Sequence, residues 1–143
     1  MKPRFLIADH DHGLAIAVKR CLLSRGYEAE IANDGLECVE EIKSMVPSVL
    51  VLDPTLLWGG GEGVMDWLKS EEPVSPPVVF TVCSDKTYTI PQGLFWQTDF
   101  LILRPRSTDE ILPYVNQLEI LGSLGVQRGG GSAMPENQSS LSR

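Results

Sequence analysis

Histidine and cysteine are scarce in this chain, and cations are outnumbered by anions. The two histidines, His10 and His12, share one short segment, while the three cysteines, Cys21, Cys38 and Cys83, are scattered. An odd, widely spaced set does not make a disulfide framework and fits reduced, packed thiols: two in helix-like segments and one at a strand end. Twelve Lys and Arg against nineteen Asp and Glu leave a net charge of −7. That argues against direct nucleic-acid binding, which needs a basic face to neutralise phosphates. No apolar run approaches the ~20 residues of a membrane helix. The opening "MKPRFLIADHD" has too short an apolar run and no small-residue cleavage site, so no signal peptide is expected. The glycines at 59–61 are followed by Glu62 and Gly63, where a phosphate cradle needs Gly-Lys-Ser/Thr; a flexible loop is expected instead. A dinucleotide glycine fingerprint, a nucleophile elbow and an evident flavin-stacking loop are also missing, which disfavours an enzyme or a flavin binder. These absences bound the chain as soluble and cytoplasmic. Its 143 residues, 43% of them hydrophobic, suit one domain with a real core.

What is present is alternation. Short apolar runs take turns with helix-period segments, the pattern of a parallel sheet covered on both faces. Strands are predicted near 4–8, 28–32, 48–52, 77–82 and 99–103. The segment "LAIAVKRCLLSRG" reads as a helix with Leu14, Val18, Cys21 and Leu22 on one face and Gly26 as its C-terminal cap. "NDGLECVEEIKSMV" reads as a second, with Leu36, Val39, Ile42 and Val46 inward and Pro47 as its stop. The loop "PTLLWGGGE" leads to a third helix, "GVMDWLKSE". A fourth, over "SDKTYTIPQGLFWQT", is interrupted by Pro91 and Gly93. Ser107 and Glu110 form a capping-box signature at the start of a fifth. Residues 1–124 are expected to form the domain. Residues 125–143, rich in Gly, Ser, Gln and Asn, are expected to form a flexible tail.

In open sheets of this kind ligands gather beyond the carboxyl ends of the strands, where the strand order reverses. Four places qualify: Asp9 to Asp11 after the first strand, Asp53 after the third, Thr81 after the fourth and Arg104 after the fifth. Two acids, a hydroxyl and a cation in one crevice make a coherent set for phosphoryl chemistry. An aspartate takes the phosphoryl group as an acyl phosphate when a cation neutralises the charge on the oxygens.

The stretches "FLIADHD", "VLVLDP", "PPVVFTV" and "LILRPRS", in this order, resemble the response-regulator receiver domain of two-component phosphorelays. The resemblance covers roughly residues 4–122. It implies an α/β fold of (βα)5, flavodoxin-like type: three layers around a five-stranded parallel sheet. By the resemblance Asp53 is the phospho-acceptor, Thr81 the switch hydroxyl and Arg104 the phosphate-facing cation, with a cis Arg104–Pro105 bond. Mg²⁺ would be held by Asp9, His10 and Asp53. The module would not itself be an enzyme. Its partners would be a histidine kinase or phosphotransfer protein and a downstream protein target, with neither nucleic acid nor membrane involved.

The departures from the family pattern are as informative. Receivers place two adjacent acids after the first strand, and here His10 takes the second position, removing a charge and offering a softer nitrogen that weakens Mg²⁺. Arg104 stands for the usual lysine, a planar fork for a compact ammonium. Leu57 stands where a proline is usual, the "WGGGEG" loop is about two residues long, and Leu101 holds the aromatic switch position, with Phe100 one place off. Two readings stay open: phosphoryl acceptance at Asp53 with Mg²⁺, or a pseudo-receiver that binds a protein partner without phosphorylation. Arg104 paired permanently with Asp53 or Asp9 would suit the second. His10 and His12 with carboxylates form a further metal option. In the plainest reading, Asp11 and His12 merely begin the first helix, where an acid meets the positive end of the dipole. Trp58, Phe95 and Trp96 are either a docking patch or cover for the weak fourth helix.

Overall fold

A computed structural model describes residues 3–71, 77–83 and 100–103, together with 116, 119 and 120. The described residues include five strands: β1 (Arg4–Ala8), β2 (Glu28–Ala32), β3 (Val49–Leu52), β4 (Val78–Cys83) and β5 (Phe100–Leu103). Three helices alternate with the first four: α1 (His12–Ser24), α2 (Gly35–Met45) and α3 (Gly60–Glu71). Every strand pairing is parallel, and the sheet order is β2-β1-β3-β4-β5. The order reverses between β1 and β3, so the crevice for a ligand opens above that pair.

Alternation along the strands divides the core into two layers. Phe5, Ile7, Val49, Val51, Val78 and Phe80 face α1 and pack with Ala15, Val18 and Leu22. Leu6, Ala8, Leu50, Leu52 and Val79 face the other way, against Cys38 and Ile42 of α2 and Val64, Met65 and Leu68 of α3. β3 is apolar and buried at all four positions because it is covered on both sides.

Helix ends follow local rules. Asp11 caps α1 by accepting from the Leu14 N–H at 3.1 Å. At the other end Gly26, with φ of 89°, donates to the Leu23 carbonyl while Tyr27 donates to that of Leu22. That pair of bonds is a Schellman cap, as Gly26 in the sequence predicts. Asp34 caps α2 through the Glu37 N–H at 2.8 Å, and the Glu37 carboxylate reaches back to the Asn33 N–H at 2.6 Å. α2 ends at Met45, with Val46 in a left-handed cap at φ 49° before Pro47.

Three expectations are corrected. The inward face of α2 is Gly35, Cys38 and Ile42; Leu36 is 63% and Val46 48% exposed, and Val39 is half-buried. The Asp34 cap fixes the start of the helix, and the i, i+4 pair Cys38–Ile42 rather than Leu36 then falls over the sheet. On α1, Val18 and Leu22 are buried as expected, whereas Leu14 and Cys21 are only partly covered. In addition, α3 begins at Gly60, so the glycine run is not a loop throughout. Gly61 lies so close to Pro54 that an added Cβ would sit 2.9 Å from the Pro54 Cα. Two glycines therefore serve close packing at a helix start.

Near the far end of the chain, Asn116, Glu119 and Ile120 are helical. Glu119 is tied to the α1–β2 corner: Arg25 Nη1 donates to its Oε1 and Tyr27 Oη to its Oε2, each at 2.7 Å. Among the described residues, no helix is long and apolar enough to cross a membrane. The expected fourth helix, the capping box at Ser107 and the tail at 125–143 lie outside the described residues.

Cys38 is fully buried, and its thiol is pushed up to about 12, first by burial and then by the Asp34 carboxylate. At pH 8 its thiolate fraction is then roughly 10³-fold below that of an ordinary cysteine of pKa ~8.5. Iodoacetamide mapped by peptide mass is expected to leave Cys38 unmodified in the native protein and to label it in denaturant.

Candidate functional site at the carboxyl rim of the sheet

Register builds the site. Ala8 pairs with Leu52, so the next residues on these strands, Asp9 and Asp53, emerge side by side. Both backbones continue the ladder: Asp9 N–H donates to the Ala32 carbonyl at 3.1 Å and Asp53 N–H to that of Ala8 at 2.9 Å. The two residues are buried, at 3% and 4% exposure. A buried acid is costly unless its oxygens are satisfied.

They are satisfied, Asp53 to an unusual degree. Its Oδ1 accepts from the Thr55 N–H at 2.8 Å and the Thr55 hydroxyl at 2.7 Å. Its Oδ2 accepts from the His10 N–H at 3.3 Å and pairs directly with Nδ1 of the His10 ring. Burial pushes the Asp53 carboxyl up, but the bonds from Thr55 and then His10 together outweigh it and hold the group below its ordinary value. The charged form of the Asp53 carboxyl is thus the favoured one. Asp9 Oδ1 accepts from the Asp11 N–H at 2.8 Å and lies 4.0 Å from His10 Nδ1. The Thr55 hydroxyl is 3.4 Å from the same nitrogen.

The acid–imidazole quartet accordingly splits in two. Asp9 and His10 belong to the rim with Asp53, and one ligand atom from each of the three lies within 4.8 Å of the others. Asp11 caps α1, and His12 begins it, its Nδ1 3.1 Å from Asn33 Oδ1. The plain reading suits that second pair, and His12 makes no common site with His10. Thr55 went unnoticed in the sequence. The signal was there in "DPT", since an Asp commonly accepts from the N–H two residues on.

Thr81 is placed differently from the position that the resemblance implies. It pairs with Leu52, one rung below Asp53, and is 0% exposed. Its row is that of Leu52 and Val79, which face α2 and α3, whereas Asp53 continues the row of Val51. The β4 position level with Asp53 is therefore Val82. Arg104, the Arg104–Pro105 bond, Phe95 and Trp96 lie outside the described residues.

The loop from Pro54 to Gly59 carries Leu57 and Trp58 outward, 68% and 74% exposed, with Trp58 at φ 64°. Gly35 N–H donates to the Leu57 carbonyl at 2.8 Å. A Cβ at Gly35 would run into the Trp58 carbonyl oxygen, so only glycine lets α2 approach the loop this closely.

No protein-family model matches the chain. Curated relatives do match. The response regulator MprA of Mycobacterium ulcerans is 31% identical over 118 residues, covering 82% of this chain and 50% of the relative. The transcriptional regulatory protein DltR of Streptococcus agalactiae is 28% identical over 109 residues, 76% of this chain and 48% of the relative. Among solved structures, the receiver domain of Francisella response regulator 1452 matches with TM-score 0.63 and 25% identity, covering 84% of this chain and 98% of that one. The response regulator TrrA of Thermotoga maritima, solved with Mg²⁺ and BeF, matches with TM-score 0.65 and 21% identity over 82% of this chain and 99% of that one. The chain carries a response-regulator receiver domain. It spans about half the length of the curated relatives it matches.

For a receiver domain, the implied Mg²⁺ can be tested against the donors present. Mg²⁺ demands near-octahedral oxygen ligands and dehydrates reluctantly. Here the carboxylate oxygens come from Asp9 and Asp53, and the third donor is an imidazole nitrogen where a hard ion prefers oxygen. This donor set does not fit Mg²⁺. Substitution Gly35→Ala tests the loop geometry: it is expected to destabilise the receiver domain by about 1–3 kcal/mol through overpacking, read as a lower urea midpoint at unchanged m-value.

Proposed function

We propose that this receiver domain is a phosphorelay signalling module in the cytoplasm, with Asp53 as the residue that accepts the phosphoryl group. The observation that carries the reading is the buried, ionised Asp53 carboxylate beside Asp9, at the point where the strand order reverses. An oxygen of the Asp53 carboxylate attacks the phosphorus of a phosphohistidine on a histidine kinase or phosphotransfer protein. An O–P bond forms and the P–N bond breaks, so the donor imidazole leaves and an acyl phosphate remains. The ring of His10 gives up its contact with Oδ2 and turns its N–H toward the incoming oxygens. A downstream protein reads the change by direct contact, and the domain performs no catalysis on another substrate. Electrostatic support argues against nucleic acid as the partner, given the net charge of −7.

The His10–Asp53 pair favours a second reading. A carboxylate whose two oxygens each accept two hydrogen bonds is held in place without phosphate. The domain would then be a pseudo-receiver that binds its protein partner constitutively.

Acetyl phosphate with a divalent chloride separates the two. Phosphoryl acceptance predicts a mass gain of one phosphoryl group by intact-protein mass spectrometry, reversed by hydroxylamine and abolished in Asp53→Ala. No gain, together with partner capture unchanged by Asp53→Ala, establishes the constitutive module instead.

A further inference from the structure

We infer that the rim formed by Asp9, His10 and Asp53 is a site for a borderline first-row divalent ion, of the Fe²⁺ to Zn²⁺ series, rather than for Mg²⁺. The inference rests on reading this rim as the receiver's ion site; it does not require that Asp53 be phosphorylated.

Three observations carry it. The ligand atoms come from two adjacent strand ends and lie within 4.8 Å of one another, so small side-chain shifts bring them within the roughly 4.4 Å that an ion with bonds of about 2.0–2.2 Å can span. Their chemistry is one nitrogen and two carboxylate oxygens. Imidazole suits Fe²⁺, Ni²⁺, Cu²⁺ and Zn²⁺, with Co²⁺ between them in the affinity order, whereas Mg²⁺ takes hard oxygen donors. The third observation is the arrangement of partners. His10 Nδ1 contacts Asp53 Oδ2 directly and lies 4.0 Å from Asp9 Oδ1, so the nitrogen already faces both acids. An ion entering there takes over the place between nitrogen and oxygen that their direct hydrogen bond fills.

Neighbouring groups support this placement. Thr55 holds Asp53 Oδ1 from behind with two donors, which leaves Oδ2 as the oxygen turned toward the ring. Such supporting bonds orient a metal ligand. The His10 ring is half exposed, with 52% of its side chain accessible, so an ion has a path in from solvent. The backbone of Asp11 fixes Asp9 Oδ1 at 2.8 Å. His12 is excluded from the set, being turned to Asn33 on the other side of the helix start.

The experiment uses the full chain, with CoCl₂ and MgCl₂ as probes. Titration calorimetry measures both affinities, and visible absorption of Co²⁺ reports its ligands. Wild type is expected to bind Co²⁺ at least about 100-fold more tightly than Mg²⁺. His10→Ala should weaken Co²⁺ on the order of 10-fold or more and alter its spectrum, with Mg²⁺ affinity changed little. His10→Asp, which restores a second adjacent carboxylate, should raise Mg²⁺ affinity about 10-fold and narrow the gap between the ions. His12→Ala should change neither affinity. Circular dichroism shows whether each variant is folded, and the conservative His10→Gln serves if His10→Ala is not. Co²⁺ affinity and spectrum untouched by either His10 variant, equal affinity of wild type for both ions, or no binding of Co²⁺ overturns the inference. Phosphoryl acceptance is read separately as mass gain. A mass gain without ion preference sinks the ion inference alone, and ion preference without mass gain sinks only the phosphoryl reading.

Discussion

Adjacent pairing of β1 and β3 is the constraint on which the rest of the molecule depends. Because Ala8 lies level with Leu52, the two acids that follow have to emerge together, and both are drawn into the sheet by one more rung of backbone hydrogen bonding. The hydrophobic layers on either side hold that register, since a slip of one residue would exchange the residues facing α1 with those facing α2 and α3. Packing of apolar side chains remote from the rim thus sets the distance between two carboxylates. Two like charges at close range in a buried crevice are costly, and the imidazole and threonine donors offset that cost locally.

His10 changes what the rim does at rest. In its place a carboxylate would repel Asp9 and Asp53 and invite a hard cation. The imidazole instead supplies a donor to Asp53 and satisfies the charge within the chain. The same ring nitrogen that quiets the acid in the absence of an ion is the donor that recognises a softer one. Thr55 does the complementary work on the opposite oxygen. The close approach of Gly35 to Trp58 ties the loop carrying Thr55 to the start of α2, so the second helix and the acid pocket share a wall.

Much of this was legible in the sequence because buried parallel strands announce themselves as apolar runs with abrupt polar ends. All five strands, the Gly26 cap, the stop before Pro47 and the placing of Asp9 and Asp53 follow from local rules. What escaped depends on register or on tertiary contact. Hydrophobicity alone turns Leu36 and Val39 of α2 inward beside Ile42, while close packing puts Gly35 and Cys38 there. The glycine run read as loop for the same reason: Gly61 is small because Pro54 leaves no room. Thr81 was read at the rim because it nearly ends an apolar run. Counting rungs from the Val49–Val78 pair puts it level with Leu52, and that count needs the pairing to be known. Thr55 was a missed local signal rather than a tertiary one.

The contact between His10 and Asp53 governs the rim. Long-range ¹H–¹⁵N NMR of the two imidazoles at fixed pH, in wild type and in Asp53→Asn, tests it most directly. A large change in the Nδ1 shift of His10, with the His12 ring unmoved, is the predicted result. A His10 ring indifferent to the substitution, or one that resembles a fully solvated imidazole in wild type, would contradict it.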